Sequence, residues 1–338
     1  MRDAPVLIDA RAAARAEIGG VERVARELSA RLPALRPDRY RVARPPAALA
    51  HRAGHAWEQA LALRRCQLLY CPANLAPLGS RRHVVVIHDV AALSHPEWYR
   101  PIYVRYQRLL LPLIARRARR VITVSEFSKR EVVRTLGVPV DRVEVVPNGV
   151  EPRFQRGADS SPARAAHRLD RPYVLAVGTL IARKNLPALA VAEPLLEERG
   201  IELVTAGSGR GYMRADARTP PGRPLGYVRD EHLPGLYAGA LALAMPSLYE
   251  GFGLPCLEAM ACGTPVVAAD RGALPDTCGD AALVVDPDDR ESLAEALLLA
   301  ALDPRVRERL SEAGAERAGQ FTWERSAALT DAAIGALL

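Results

Sequence analysis

Short apolar runs alternate with helix-periodic stretches along this chain, and they do so in two successive series. The first series places strands at residues 6–9, 68–70, 83–87, 120–124 and 142–146, with helical patterns at 21–35, 102–119 and 126–135. The second places strands at 173–177, 202–205, 241–245, 265–268 and 281–285, with helices at 186–198, 232–239, 254–262 and 291–302. Continuous apolar character fits strands buried on both faces, as in parallel sheets. Repeated strand–helix alternation with right-handed crossovers then predicts an α/β protein of two Rossmann-like doubly wound domains facing across a cleft. Between the series, EPRFQRGADSSPARAAHRLDRP is polar and broken by prolines, which reads as a linker. The expected layout is a first domain over 1–155, a linker over 156–172, a second domain over 173–320 and a final helix over 321–338. That helix fits closure of either domain, and its return to the first is the expectation.

A chain of 338 residues is long for one core and comfortable for two, since domains run roughly 100–200 residues. No run approaches the roughly 18 apolar residues that span a bilayer, and the opening segment has no signal-peptide pattern. The five cysteines (Cys66, Cys71, Cys256, Cys262, Cys278) lack metal spacing and read as small buried residues of a reducing cytosol. Charge is divided unevenly. Residues 1–155 hold 27 Lys+Arg against 14 Asp+Glu, a net of +13, and the remainder has a net of −6. A basic first half fits an anionic partner: nucleic acid, an anionic membrane surface or a phosphorylated acceptor. With aromatics at 5% there is no stacking platform for bases, which makes nucleic acid a poor fit.

Residues 241–270, LALAMPSLYEGFGLPCLEAMACGTPVVAAD, carry the most chemistry. A buried strand ends near Met245, a glycine-bearing loop follows, and a helix starts near Leu254 with Pro255 in its first turn, where a missing N–H costs nothing. Free amides and the positive dipole end attract phosphate, and Gly251 and Gly253 let a ligand approach the backbone. Glu250 and Glu258 frame this anion site, and carboxylates accept hydrogen bonds from sugar hydroxyls. Phosphates in the middle with a sugar ring at each end describe a nucleotide sugar.

The stretch YEGFGLPCLE resembles the paired-glutamate signature of retaining glycosyltransferases of family 4, which have the two-domain GT-B fold. VITVSEFSKREVVRTLGVPVDRVEVVPNGVEPRF, VLAVGTLIARKNLPALAVA and LGYVRDEHLPGLYAGALALAMPSLYEGFGLP match the family in order, over some 200 residues. The resemblance implies that Glu258 holds the ribose hydroxyls and that Glu250 touches the transferred sugar. It places the amides of Phe252, Gly253 and Leu254 near sugar and phosphate, with Gly251 and Val228 also at the donor. Arg183 and Lys184 match the basic pair that neutralises the diphosphate leaving group, where fixed cations lower the barrier. Thr179 stands where many members have arginine, a departure shared by mannosyltransferase-like members.

In the first domain His88, at a strand end beside Asp89, resembles the family histidine near the donor sugar; Asp89 is a candidate to orient it. Gly20, in the Gly19-Gly20 pair, opens a helix whose amides suit a phosphate or a close-approaching acceptor, and a plain loop fits as well. His95 and Glu97 receive no assignment. The family implies retention, and the expected position of Glu250 favours front-side substitution over a carboxylate nucleophile. No cofactor and no metal are expected, because capping explains Asp286 and Asp288, the only Asp-x-Asp. The GTLIARKN variant favours a GDP-mannose donor; the acceptor is a glycan, a lipid-linked molecule or a small molecule. The seven arginines around LLLPLIA, from Arg100 to Arg120, fit two readings: a seat on an anionic membrane, or a core helix with solvated flanks. Alternatives are a nucleotide-sugar epimerase or phosphorylase of similar architecture, and a non-catalytic nucleic-acid-binding protein. The resulting expectation is a cytoplasmic hexosyltransferase, peripheral at the membrane in the first of these readings.

Overall fold

The computed structural model describes residues 6–15, 17–46, 56–209, 211–213 and 220–338. The chain forms two compact units, one of Met1–Pro96, Pro101–Gly149 and Thr322–Leu338, the other of Glu97–Arg100 and Val150–Phe321.

The first unit holds a six-stranded parallel sheet of β1 (Val6–Asp9), β2 (Tyr40–Ala43), β3 (Leu69–Cys71), β4 (His83–Val86), β5 (Arg120–Thr123) and β6 (Val143–Val145). Its spatial order is β2-β1-β3-β4-β5-β6. The period of 2 along β4 explains its unbroken apolar character: Val84 and Val86 join a core with helix Gly20–Leu35 and the returning Trp323 and Ile334. Val85 and Ile87 join another core with Leu111 and Ile114 of helix Pro101–Arg117. Both faces of the strand are covered, so every position is apolar. Arg142 caps the end of that helix region, donating to the carbonyls of Ala115, Arg116 and Ala118 at 3.3, 3.0 and 2.6 Å.

The second unit holds β7 (Tyr173–Val177), β8 (Glu202–Ala206), β9 (Arg223–Gly226), β10 (Ala242–Met245), β11 (Val266–Ala269) and β12 (Leu283–Val285). Its order is β12-β11-β10-β7-β8-β9, all parallel. The two sheets carry the doubly wound architecture read from the alternation.

Three expectations are corrected. Strands β2 and β9 have no counterpart in the sequence reading, because neither is an apolar run: YRVA exposes Arg41, and RPLG contains Pro224, tolerated at a sheet edge where one side of the ladder is open. Residues 186–198 do not make one helix; a 3-10 turn, Leu186–Ala190, precedes a short α-helix, Ala192–Glu197, and Pro187 and Pro194 lie in the first turns of these pieces. The boundary at 155 and the linker over 156–172 also fail. The first unit leaves off at Gly149, and the supposed linker contains helix Ser161–His167, packed on helix Leu233–Ala238 inside the second unit. Its polar face is solvent-exposed while Ala163 is buried, so its composition looks like a loop's.

Candidate active site

Strand order in the second sheet reverses between β7 and β10, so their carboxyl ends flank the crevice where ligands of such sheets bind. After β7 comes a 3-10 turn, Ala182–Lys184, carrying Arg183 and Lys184. After β10 comes the loop bearing Glu250, then helix Leu254–Ala261 with Glu258 one turn inside. The fold therefore brings together three of the charged residues predicted for the donor, Arg183, Lys184 and Glu250, and carries Glu258 on the helix that follows the Glu250 loop.

Their partners are specific. Lys184 Nζ donates to Glu250 Oε1 at 2.6 Å, and Arg183 Nη1 donates to Glu250 Oε2 at 3.2 Å and to the Tyr249 carbonyl at 2.7 Å. The Leu248 N–H donates back to the Arg183 carbonyl at 2.9 Å, tying the two loops at the backbone. Lys184 and Glu250 are buried and Arg183 nearly so. Burial alone would raise the Glu250 carboxyl; the Lys184 and Arg183 cations outweigh it and bring the group down to about 2. Burial pulls the Lys184 ammonium below the ordinary lysine range, with Glu250 opposing. Gly178 makes room for this lysine, since a Cβ there would lie 2.7 Å from Lys184 Cε.

Gly253 caps the helix at φ +101°, a conformation that favours glycine, and a Cβ there would lie 2.7 Å from a Leu274 methyl. Beyond it Pro255 lies in the first turn, and the amides of Phe252, Gly253 and Leu254 meet no acceptor among the described residues. The arrangement is a cluster of amides at a positive helix end, next to two cations: a place for phosphate. Phe252 stacks edge-on against Phe321, with centroids 5.7 Å apart, and Gly251 is buried in the same loop. Glu258 accepts from the Tyr237 hydroxyl at 3.0 Å. Tyr237 was missed in the sequence because nothing in LPGLYAGA marks its hydroxyl for that carboxylate. Val228 is buried just past β9.

His88 and Gly20 belong to the first unit. His88, just past β4, is buried, with Nε2 hydrogen-bonded to the Pro72 carbonyl at 2.9 Å and burial lowering its pKa. Asp89 does not orient the ring; its carboxylate accepts the Ala91 N–H at 3.1 Å. Gly20 begins its helix as expected, but Glu22 accepts the preceding Gly19 N–H at 3.1 Å and pairs with Arg15 at 2.7 Å. A phosphate there has a carboxylate to displace. Arg271 donates to Asp286 and Asp288 at 2.8 and 3.0 Å, Asp286 Oδ1 also accepts the Asp288 N–H at 3.0 Å, and the helix cap itself is Asp289. All five cysteines are buried and unpaired.

Residues 158–317 match the family model of glycosyl transferases group 1, and residues 18–154 match that of Glycosyltransferase Family 4. O-antigen chain mannosyltransferase B of Escherichia coli is 34% identical over 299 residues, 81% of this chain and 76% of that protein. D-inositol 3-phosphate glycosyltransferase of Kribbella flavida is 34% identical over 237 residues, 64% of this chain and 56% of that protein, so the chain spans little over half of this second relative. Among solved structures, sucrose-phosphate synthase from Thermosynechococcus elongatus superposes with a TM-score of 0.75 at 20% identity, covering 99% of each chain. The two family models lie end to end over the two Rossmann-like units, and the chain belongs to the group 1, family 4 glycosyltransferases of GT-B fold.

Proposed function

We propose that this glycosyltransferase moves mannose from GDP-mannose to a glycan, lipid-linked or small-molecule acceptor, with retention of configuration and without a metal. The observation that carries the reading is the Arg183–Lys184–Glu250 cluster beside three amides at a helix start that meet no acceptor among the described residues. In this reading the diphosphate lies on the amides of Phe252, Gly253 and Leu254, with Arg183 and Lys184 stabilising the charge that builds as the sugar–phosphate bond breaks. Glu258 takes the ribose hydroxyls and Glu250 those of the sugar. His88, in the first unit, is buried, and its depressed pKa keeps the ring neutral near pH 7, fit to hydrogen-bond a hydroxyl. Glu250 is engaged by two cations, which disfavours its use as a carbon nucleophile and supports front-side substitution, the leaving phosphate oxygen accepting the acceptor's proton. Engagement of Asp286 and Asp288 by Arg271 supports metal independence. The Escherichia coli relative, named as a mannosyltransferase, supports mannose.

A thermal-shift panel of nucleoside diphosphates and their sugars tests the donor: GDP and GDP-mannose are expected to raise the melting temperature most. A uridine preference overturns the base, and no response to any nucleotide overturns the donor site. The anomeric configuration of the product, read by NMR, tests retention, and undiminished turnover in EDTA tests metal independence.

Peripheral membrane attachment is part of the same proposal. Helix Pro101–Arg117 buries Val104, Gln107, Leu111, Ile114 and Ala115, so part of its apolar run is core. Its opposite side exposes Ile102, Leu109 and Leu113 between Arg105, Arg108 and Arg117, with no acidic residue on the helix. Apolar anchors flanked by cations suit an anionic surface. Co-sedimentation with phosphatidylglycerol vesicles, and none with phosphatidylcholine vesicles, is the expected result.

A further inference from the structure

Residues 97–100 belong to the second unit although the chain on either side belongs to the first. They are tied at two points. Trp98, buried, meets the Tyr249 ring edge-on, with centroids 6.5 Å apart at 67°. Tyr99 forms an antiparallel bridge with Met213, and the Arg100 N–H donates to the Tyr212 carbonyl at 3.1 Å. Tyr249 follows β10 and Tyr212 follows β8, the strands on either side of β7 in the sheet. The four residues thus run from one flank of β7 to the other, at the carboxyl ends where Arg183 and Lys184 stand.

We propose that this segment is a strap that positions the donor loop, with Trp98 as its positioning residue. The argument runs through Tyr249. Its carbonyl accepts from Arg183 Nη1 at 2.7 Å, and its neighbour Glu250 holds both Arg183 and Lys184. Its ring is buried, and Trp98 bears on that ring. Fixing the ring fixes the carbonyl, and the carbonyl helps set the guanidinium where a diphosphate is to be met. An aromatic edge-to-face contact contributes on the order of two- to tenfold in an equilibrium constant, so its loss is expected to show in ligand affinity without abolishing turnover. The strap rests on the donor-site reading above for its purpose, but not for its existence.

The test compares Trp98→Leu, which keeps apolar bulk and loses the ring, with Trp98→Phe, which keeps a ring, in the full chain. Leu196→Ala, a buried change on helix Ala192–Glu197, serves as a destabilised control. The first readout needs no ligand: hydrogen exchange of the amides of residues 248–254. Trp98→Leu is expected to speed it, with Trp98→Phe close to wild type and Leu196→Ala without local effect. The second is the dissociation constant of GDP, expected to rise about two- to tenfold in Trp98→Leu and to recover in Trp98→Phe. Unchanged loop exchange in Trp98→Leu, or an equal increase in Leu196→Ala, overturns the strap. If wild type binds no GDP, the donor assignment fails while the exchange result still decides the strap.

Discussion

Lys184 and Glu250 are 66 residues apart in sequence and joined by a 2.6 Å bond. Their residue types were legible as a basic pair after one strand and an acid after another, but their pairing was not, because it depends on β7 and β10 being neighbours. The pair has consequences that can be measured. Lys184→Met is expected to lower kcat about 10²–10³-fold, as for loss of one preorganised charge at a developing anion, in steady-state kinetics on purified protein. It also leaves a buried carboxylate short of a partner, so a lower melting temperature accompanies it. Glu250 makes stability pH-dependent in a defined direction. Its carboxyl titrates at about 2 in the folded chain against an ordinary 4.5, so its stabilisation is complete above 4.5 and is lost as pH falls towards 2. The difference in urea midpoint between wild type and Glu250→Gln is therefore expected to shrink between pH 5 and pH 3.

The element that organises the site is the turn between β10 and helix Leu254–Ala261, whose strand end, glycines and first-turn proline all have local sequence signals. Gly253 sits there in a left-handed conformation with a Leu274 methyl behind it. Gly253→Ala is expected to cost about 1–3 kcal/mol and to raise the donor KM more than it lowers kcat; thermal melts and donor titrations check both. Elsewhere the local code was weaker. Strands β2 and β9 are interrupted by Arg41 and Pro224 and so show no apolar run, and helix Ser161–His167 buries one alanine, Ala163. The strap at residues 97–100 offered no pattern that pointed to the second unit. Its role depends on what Trp98 touches, and a tryptophan in a loop does not announce its partner.

Across the whole molecule the chain does not divide at a single point: it crosses into the second unit near residue 150 and returns at Thr322. The return is secured by Asp331 of helix Trp323–Gly335, which accepts from Arg39 Nη1 at 2.6 Å and from the Tyr40 hydroxyl at 2.7 Å. Asp331→Ala strands that buried hydroxyl, at a cost of about 1–3 kcal/mol, and is expected to lower the melting temperature while leaving donor affinity unchanged. Sequence by itself determined the two α/β units, ten of the twelve strands among the described residues and the residue types of the candidate site, because backbone period and helix-start chemistry are local. Tertiary structure alone decided that Arg183 and Lys184 meet Glu250, that Tyr237 holds Glu258 and that Trp98 bears on Tyr249. Those contacts join residues far apart in the chain, and only the order of strands in the sheet fixes which loops become neighbours.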